Sequence, residues 1–193
     1  MRLFFGITPE PEVRLCLEKL SHDLQKAEHF TPCRANWIPA DRFHLTFLFL
    51  GDVREKELPE LQNICRDLAE NTKLVNVSIA HLGYFPQPKN PKVLWVGLQE
   101  KERILKELHT KLCQKCQQIG INTPDHQFLP HVTLARFRNL KGTKAFQNAV
   151  KSYRGKTFGS WNINRIELIE SRLSQDGPEY KTIKQNEFAT QEE

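Results

Sequence analysis

Two histidines recur in matched settings. His44-Leu45-Thr46-Phe47 returns 87 residues later as His131-Val132-Thr133-Leu134. Each copy reads histidine, apolar, threonine, apolar, inside a short apolar run of strand character. Imidazole is the side chain whose ordinary proton affinity lies near neutral pH. Two of them on matched strands offer an acid and a base to one substrate. Side chains alternate along a strand, so each histidine shares a face with a threonine hydroxyl about 7 Å away. In the first strand that face carries His44, Thr46, Leu48 and Leu50, with Phe43, Leu45, Phe47 and Phe49 opposite. In the second, His131 and Thr133 oppose Val132 and Leu134. Two such strands side by side form a cup of two imidazoles and two hydroxyls, suited to a phosphate. One His-x-Thr would carry little weight, because threonine suits the pleat anyway. Two copies are much harder to reach by accident.

The elements that must hold these strands follow from periodicity. Leu3 to Ile7 reads as a buried strand. Thr8-Pro9-Glu10-Pro11 looks like a helix start with a capping hydroxyl, and Val13, Leu17, Leu20 and Leu24 continue at helical spacing. Phe43 to Leu50 is the first histidine strand, closed by Gly51 and Asp52. A helix over about 53–69 turns Leu58, Leu61, Ile64 and Leu68 inward. Strands follow at Val75 to Ile79 and Val93 to Val96, and a third helix at about 100–119 that Gly120 ends. Phe128 to Phe137 is the second histidine strand. A short helix is expected near Lys144 to Lys151, a strand at Trp161 to Ile169, and an edge at Lys181 to Phe188. This mixture has few βαβ units, so it reads as α+β with mostly antiparallel sheets, weakly duplicated. One domain over 1–188 is expected, with a disordered tail at 189–193.

The 193 residues carry a net charge of +5, with 39% apolar and 26% charged side chains, as in an ordinary soluble domain. The excess positive charge is compatible with RNA without demanding it. Cys16, Cys33, Cys65, Cys113 and Cys116 are odd in number and scattered, which argues against a disulfide framework and for a cytoplasmic setting. No apolar stretch is long enough to span a bilayer. Cys113 and Cys116 form a C-x-x-C inside an amphipathic helix, without a second pair at zinc-finger spacing, and read as incidental. His81 and His126 could join His44 and His131 around a metal, but no HExxH or carboxylate cluster supports that. Neither a P-loop nor a dinucleotide fingerprint is present.

Taken together, the motifs resemble the 2H phosphoesterase superfamily, and within it the RNA 2′,3′-cyclic phosphodiesterases, also called 2′-5′ RNA ligases of the LigT/ThpR type. The resemblance runs through Arg2-Leu3-Phe4-Phe5, His44-Leu45-Thr46-Phe47-Leu48, Leu82-Gly83-Tyr84-Phe85-Pro86 and Val93-Leu94-Trp95-Val96-Gly97. It continues through Phe128-Leu129-Pro130-His131-Val132-Thr133-Leu134-Ala135-Arg136 and Ser171-Arg172-Leu173 with Gly177-Pro178-Glu179-Tyr180. It implies a bilobal fold: two pseudo-symmetric antiparallel sheets with outer helices around a central cleft. It implies hydrolysis of a terminal 2′,3′-cyclic phosphate to a 2′-phosphate, and the reverse joining as a 2′-5′ bond, without ATP, metal or other cofactor. The partner so implied is RNA with a cyclic phosphate end, tRNA halves being one candidate, acted on by a cytoplasmic monomer with no membrane association.

Hydrolysis needs a base for the attacking water and an acid for the leaving 3′ oxygen, in line across phosphorus. His131 is assigned as proton acceptor and His44 as proton donor, although the residues alone permit the swap. Thr46 and Thr133 would hydrogen-bond nonbridging oxygens. Arg136 would supply a fixed cation, but it lies five residues past His131, so a bulge, or a reach around the strand end, must bring it to the same face. Phe5 and Tyr84 are candidate nucleobase partners, and Arg34, Arg42, Lys89, Lys92 and Arg138 candidate phosphate contacts. The alternatives are a 2′-5′ oligonucleotide or small cyclic-nucleotide phosphodiesterase, and a non-catalytic RNA- or nucleotide-binding module on the same fold.

Overall fold

The computed structural model describes residues 1–193 except 29, 31–34, 88–89, 124–126, 139, 141, 176 and 190–193. The buried runs set the frame. In chain order the elements are β1 (Arg2–Ile7), α1 (Pro11–Lys26), β2 (Ala35–Trp37), β3 (Leu45–Asp52), α2 (Leu58–Glu70), β4 (Val75–Phe85) and β5 (Val93–Gln99). Then come α3 (Ile104–Gln118), β6 (His131–Phe137), α4 (Thr143–Lys151), β7 (Thr157–Ile163), β8 (Arg165–Ser174) and β9 (Gly177–Glu187). The α+β class with antiparallel sheets is what the periodicity predicts. The order β7-β4-β5-β6-β3-β1-β8-β9 is one path, with β2 also on β6. It divides naturally into halves, β7-β4-β5-β6 and β3-β1-β8-β9, joined by a single paired position, Leu45 with Val132. Helices α1 and α4 lie against the first half, and α2 and α3 against the second. One apolar cluster, from Leu3 and Phe47 to Val96 and Trp161, runs through both.

Several expectations needed correction. Thr8 does not cap α1; its hydroxyl donates to the carboxylate of Glu167 at 3.1 Å, and Glu10 takes the cap position without a side-chain bond. Glu167 is 1% exposed, and Arg165 donates to it at 2.7 Å and to the Thr8 carbonyl at 2.6 Å. The β1–α1 turn is thereby tied to β8, because a buried carboxylate has to be paired. The expected strand from Trp161 to Ile169 is two strands that part at Asn164, and the C-terminal edge is half of a long hairpin. Gly120 does close α3, at φ 80°, with the Ile121 N–H bonded back to the Cys116 carbonyl at 2.9 Å. Ala189, assigned to the tail by sequence, donates to the carbonyls of Ala69 and Thr72; the rest of that tail lies outside the described residues. No helix is long and apolar enough to cross a membrane.

Candidate active site

The site forms where the two halves meet. Leu45 and Val132 are fully buried, so their neighbours in sequence point to the opposite face. The antiparallel register then sets Thr46 beside His131. On the other side, the Ile38 N–H donates to the Leu134 carbonyl at 2.9 Å. Residues 39–44 loop out opposite Thr133 and return with His44. Each histidine therefore stands beside the threonine of the other motif. Opposed residues lie about 5 Å apart and diagonal ones about 7–8 Å, a spacing that leaves room for one phosphate between two rings.

Both rings are held the same way. His44 Nδ1 lies 2.8 Å from the Arg42 carbonyl, and His131 Nδ1 lies 2.7 Å from that of Leu129. A carbonyl only accepts, so Nδ1 carries the hydrogen in both and Nε2 is left for chemistry. Two aromatic rings flank each imidazole. Phe4 and Tyr180 lie 5.1 and 4.8 Å from His44, and Phe85 and Trp95 lie 5.2 and 5.8 Å from His131. Glycines make this possible. A Cβ on Gly6 would stand 2.6 Å from the Leu45 carbonyl oxygen and 3.0 Å from the Phe4 ring, and one on Gly83 would stand 2.0 Å from the Trp95 ring. These flanking rings escaped the sequence reading; the pairing of small and aromatic residues across strands was their only signal.

Bulges decide which side chains join the site. Along β6, Thr133 pairs with Trp95 and Ala135 with Leu94, so Leu134 is an extra residue. The parity reverses there, and Arg136 returns to the face of His131 and Thr133. Asn36 of β2 pairs with Arg136 and shares that face, a neighbour the sequence does not announce. Along β3, Gly6 pairs with Thr46 but Phe5 with Leu48, so Phe47 is extra. Leu48 and Leu50 therefore enter the core, contrary to the ideal alternation, and Phe49 emerges beside Thr46, 52% exposed.

The electrostatics follow from burial beside fixed positive charge. Burial pushes His44 down to about 4; the Arg42 carbonyl opposes this, and the charges of His131 and Arg136 add to it. His131 is lowered as well, first by burial and then by Arg136, against the Leu129 carbonyl. Burial raises the Tyr180 phenol, while Arg136, Arg42 and Arg2 oppose it. Burial and the guanidinium thus favour the neutral form of both imidazoles, and an arriving anion would favour their protonated forms.

Other sequence candidates are placed elsewhere. Phe5 is 0% exposed and packed in the core, so no ring face is open to a nucleobase. Tyr84 is also buried, against Phe146 at 5.8 Å. Both follow from parity: their partners Leu48 and Leu94 face the core. Lys92 and Arg138 are exposed, Arg42 crosses Gly177 beside the site, and Arg34 and Lys89 lie outside the described residues. His81 sits at φ 44° with its ring 5.6 Å from Trp95. His126 and Cys33 lie outside the described residues. Among those described, no three His, Cys, Asp or Glu side chains cluster as a metal site, and Cys16, Cys65, Cys113 and Cys116 are free thiols.

Comparison with known proteins bears on this arrangement. The family model of the 2′-5′ RNA ligase superfamily matches residues 9–175. The chain belongs to that superfamily. The RNA 2′,3′-cyclic phosphodiesterase of Aquifex aeolicus is 27% identical over 186 residues, covering 96% of each chain. The protein of the same name from Archaeoglobus fulgidus is 29% identical over 185 residues, covering 95% of this chain and 98% of its own. A crystal structure from Thermus thermophilus superposes with a TM-score of 0.78 at 25% identity, covering 97% of this chain and 98% of that one. E. coli LigT in complex with 3′-AMP superposes at 0.77 with 21% identity, covering 98% of both, and so shares the superfamily fold.

Proposed function

We propose that the chain is an RNA 2′,3′-cyclic phosphodiesterase that opens a terminal cyclic phosphate with water and leaves a 2′-phosphate. The observation that carries this reading is the crossed arrangement: two imidazoles with Nδ1 tied to a carbonyl and Nε2 free, each beside the other motif's threonine, with the positive charge of Arg136 acting on both. The names of the Aquifex and Archaeoglobus relatives agree with it. The cyclic phosphate sits between the rings. His131 Nε2 takes a proton from water as it attacks phosphorus, and His44 delivers one to the departing 3′ oxygen. The substrate's own negative charge raises both imidazoles and allows His44 to hold that proton at neutral pH. Thr46, Thr133 and Arg136 bind the nonbridging oxygens and stabilise the charge that builds on them. No residue in this scheme needs a metal or ATP. With a 5′-hydroxyl in place of water, the same steps join the cyclic phosphate to it as a 2′-5′ bond, P–O5′ forming as P–O3′ breaks.

The test is an oligoribonucleotide ending in a 2′,3′-cyclic phosphate, incubated in water enriched in oxygen-18. One labelled oxygen in a 2′-phosphate product is expected. A 3′-phosphate product, or tight binding without conversion, would overturn the reading, the latter in favour of a binding module.

A further inference from the structure

The two imidazoles are clamped alike but anchored differently. For His131 the clamp belongs to the sheet. The Leu98 N–H donates to the Pro130 carbonyl at 3.0 Å, next to the Leu129 carbonyl that holds Nδ1, and His131 itself pairs with Gly97 of β5. For His44 the clamping carbonyl is that of Arg42, the last residue of a 3₁₀ turn over Ala40–Arg42 in the loop between β2 and β3. Phe43 is buried and pins the chain between them. The Arg42 guanidinium reaches across to the turn of the β8–β9 hairpin. A Cβ on Gly177 would stand 2.7 Å from its Nη1 and 3.6 Å from its Cζ, so the guanidinium lies in the space a side chain would fill. Gly177 has a φ of 112°, which other residues rarely adopt, and the Ser174 hydroxyl donates to its carbonyl at 2.9 Å, closing the turn. Three residues on, the Tyr180 ring lies 4.8 Å from the His44 ring and 5.5 Å from Phe4. One hairpin end therefore reaches His44 by two routes, through Arg42 to Nδ1 and through Tyr180 to the ring. The charges acting on His44 are those of His131 and Arg136, whereas the Arg42 charge acts on the Tyr180 phenol.

We propose that Arg42 is a positioning residue for the proton donor and that the turn of the β8–β9 hairpin is its anchor. Seated over Gly177, the guanidinium fixes the direction of the Arg42 carbonyl. That carbonyl fixes the Nδ1–H of His44, and the Tyr180 ring closes the remaining freedom of the imidazole. Nε2 is then aimed at the leaving oxygen before substrate arrives, which is where a preset geometry lowers the barrier. The inference rests on the reading above in taking His44 as the donor to O3′. It differs from a direct phosphate contact, the usual role of an arginine beside such a site. An arginine bound to substrate would act whether or not His44 were present; one that acts through His44 would not.

The test uses an RNA ending in a 2′,3′-cyclic phosphate, with the single-turnover rate and the affinity for the RNA measured separately. Arg42→Ala removes the guanidinium, and Gly177→Ala fills its seat. Each should lower the rate on the order of 10–100-fold, the cost of an ångström or less of misalignment, with affinity unchanged. Introduced into His44→Ala, either change should add little, because groups that act as a unit are not additive. Tyr180→Ala should follow the same pattern, and Tyr180→Phe, which keeps the ring, should recover the rate. Arg42→Ala leaves the turn itself untouched, so it decides the matter if Gly177→Ala does not fold. The nitrogen-15 resonances of His44 give a readout apart from turnover. Wild type should hold one tautomer, with the hydrogen on Nδ1, and Arg42→Ala should admit the other. A full rate in Arg42→Ala, weaker RNA binding, a loss that multiplies with that of His44→Ala, or a single His44 tautomer in Arg42→Ala overturns the inference and spares the reading. A wild-type protein that leaves the cyclic phosphate intact removes the reading and the inference together.

Discussion

At the scale of single residues, the two imidazoles are distinguished by what their burial does to them. His44 stays neutral in the folded chain down to about pH 4, whereas an unfolded histidine takes its proton near 6.5. Below 6.5 the unfolded chain thus binds a proton that the native chain refuses. The stability tied to this residue is complete above pH 6.5 and is lost as pH falls toward 4, by about 3 kcal/mol in all. Urea midpoints measured between pH 7 and 4 should therefore fall more steeply for the wild type than for His44→Gln; equal slopes would refute the assignment. In the proposed reaction, catalysis should report the same shift. The profile of kcat/KM follows the free enzyme and that of kcat the complex. The anionic substrate raises both imidazoles, so the kcat bell should lie at higher pH than the kcat/KM bell. Arg136→Lys keeps the charge but loses the fork that fits a phosphate, and a fall in kcat on the order of 10²-fold is expected.

Bulges, rather than the average strand, decide the composition of the site at the scale of elements. The alternation of His44 with Thr46 and of His131 with Thr133 was legible, as was the need for a bulge or a reach around the strand end to bring in Arg136. The extra residue at Leu134 supplies that bulge. The extra residue at Phe47 was not legible, because nothing in an all-apolar run Phe47-Leu48-Phe49-Leu50 marks where the parity changes. That blind spot hid Phe49, and it let Phe5 pass as a base-stacking ring although its partner Leu48 faces inward. The excursion before His44 and the short β2 were hidden for a different reason: their positions answer to β6, far away in the chain. The flanking aromatics give a test at this scale. Gly83→Ala places a methyl group on the Trp95 ring, whose ring neighbours are His81, Phe85 and His131. A loss of about 1–3 kcal/mol of stability is expected from such overpacking, visible as a lower Tm, with a further fall in kcat for the folded fraction. Normal kcat in the folded variant would show that Trp95 does not position His131.

The whole molecule is two half-sheets whose ladder touches at one residue pair, so the shared apolar cluster must couple them. Trp37, Trp95 and Trp161 lie on β2, β5 and β7, all in one half. Tryptophan fluorescence consequently follows that half alone, and far-ultraviolet circular dichroism follows both. Coincident denaturation curves are expected, since one core melts as a unit; a separate tryptophan transition would show that the halves fold as independent domains. The proposed reaction is carried by side chains alone, so excess chelator should leave turnover unchanged. The central claim is that both imidazoles act on one phosphorus, and single-turnover hydrolysis by wild type, His44→Ala, His131→Ala and the double variant tests it most directly. Each single change should cost on the order of 10²–10⁴ in rate, and the double variant little more, because groups that act as a unit are not additive. A single variant that keeps the wild-type rate, or losses that simply multiply, would contradict it.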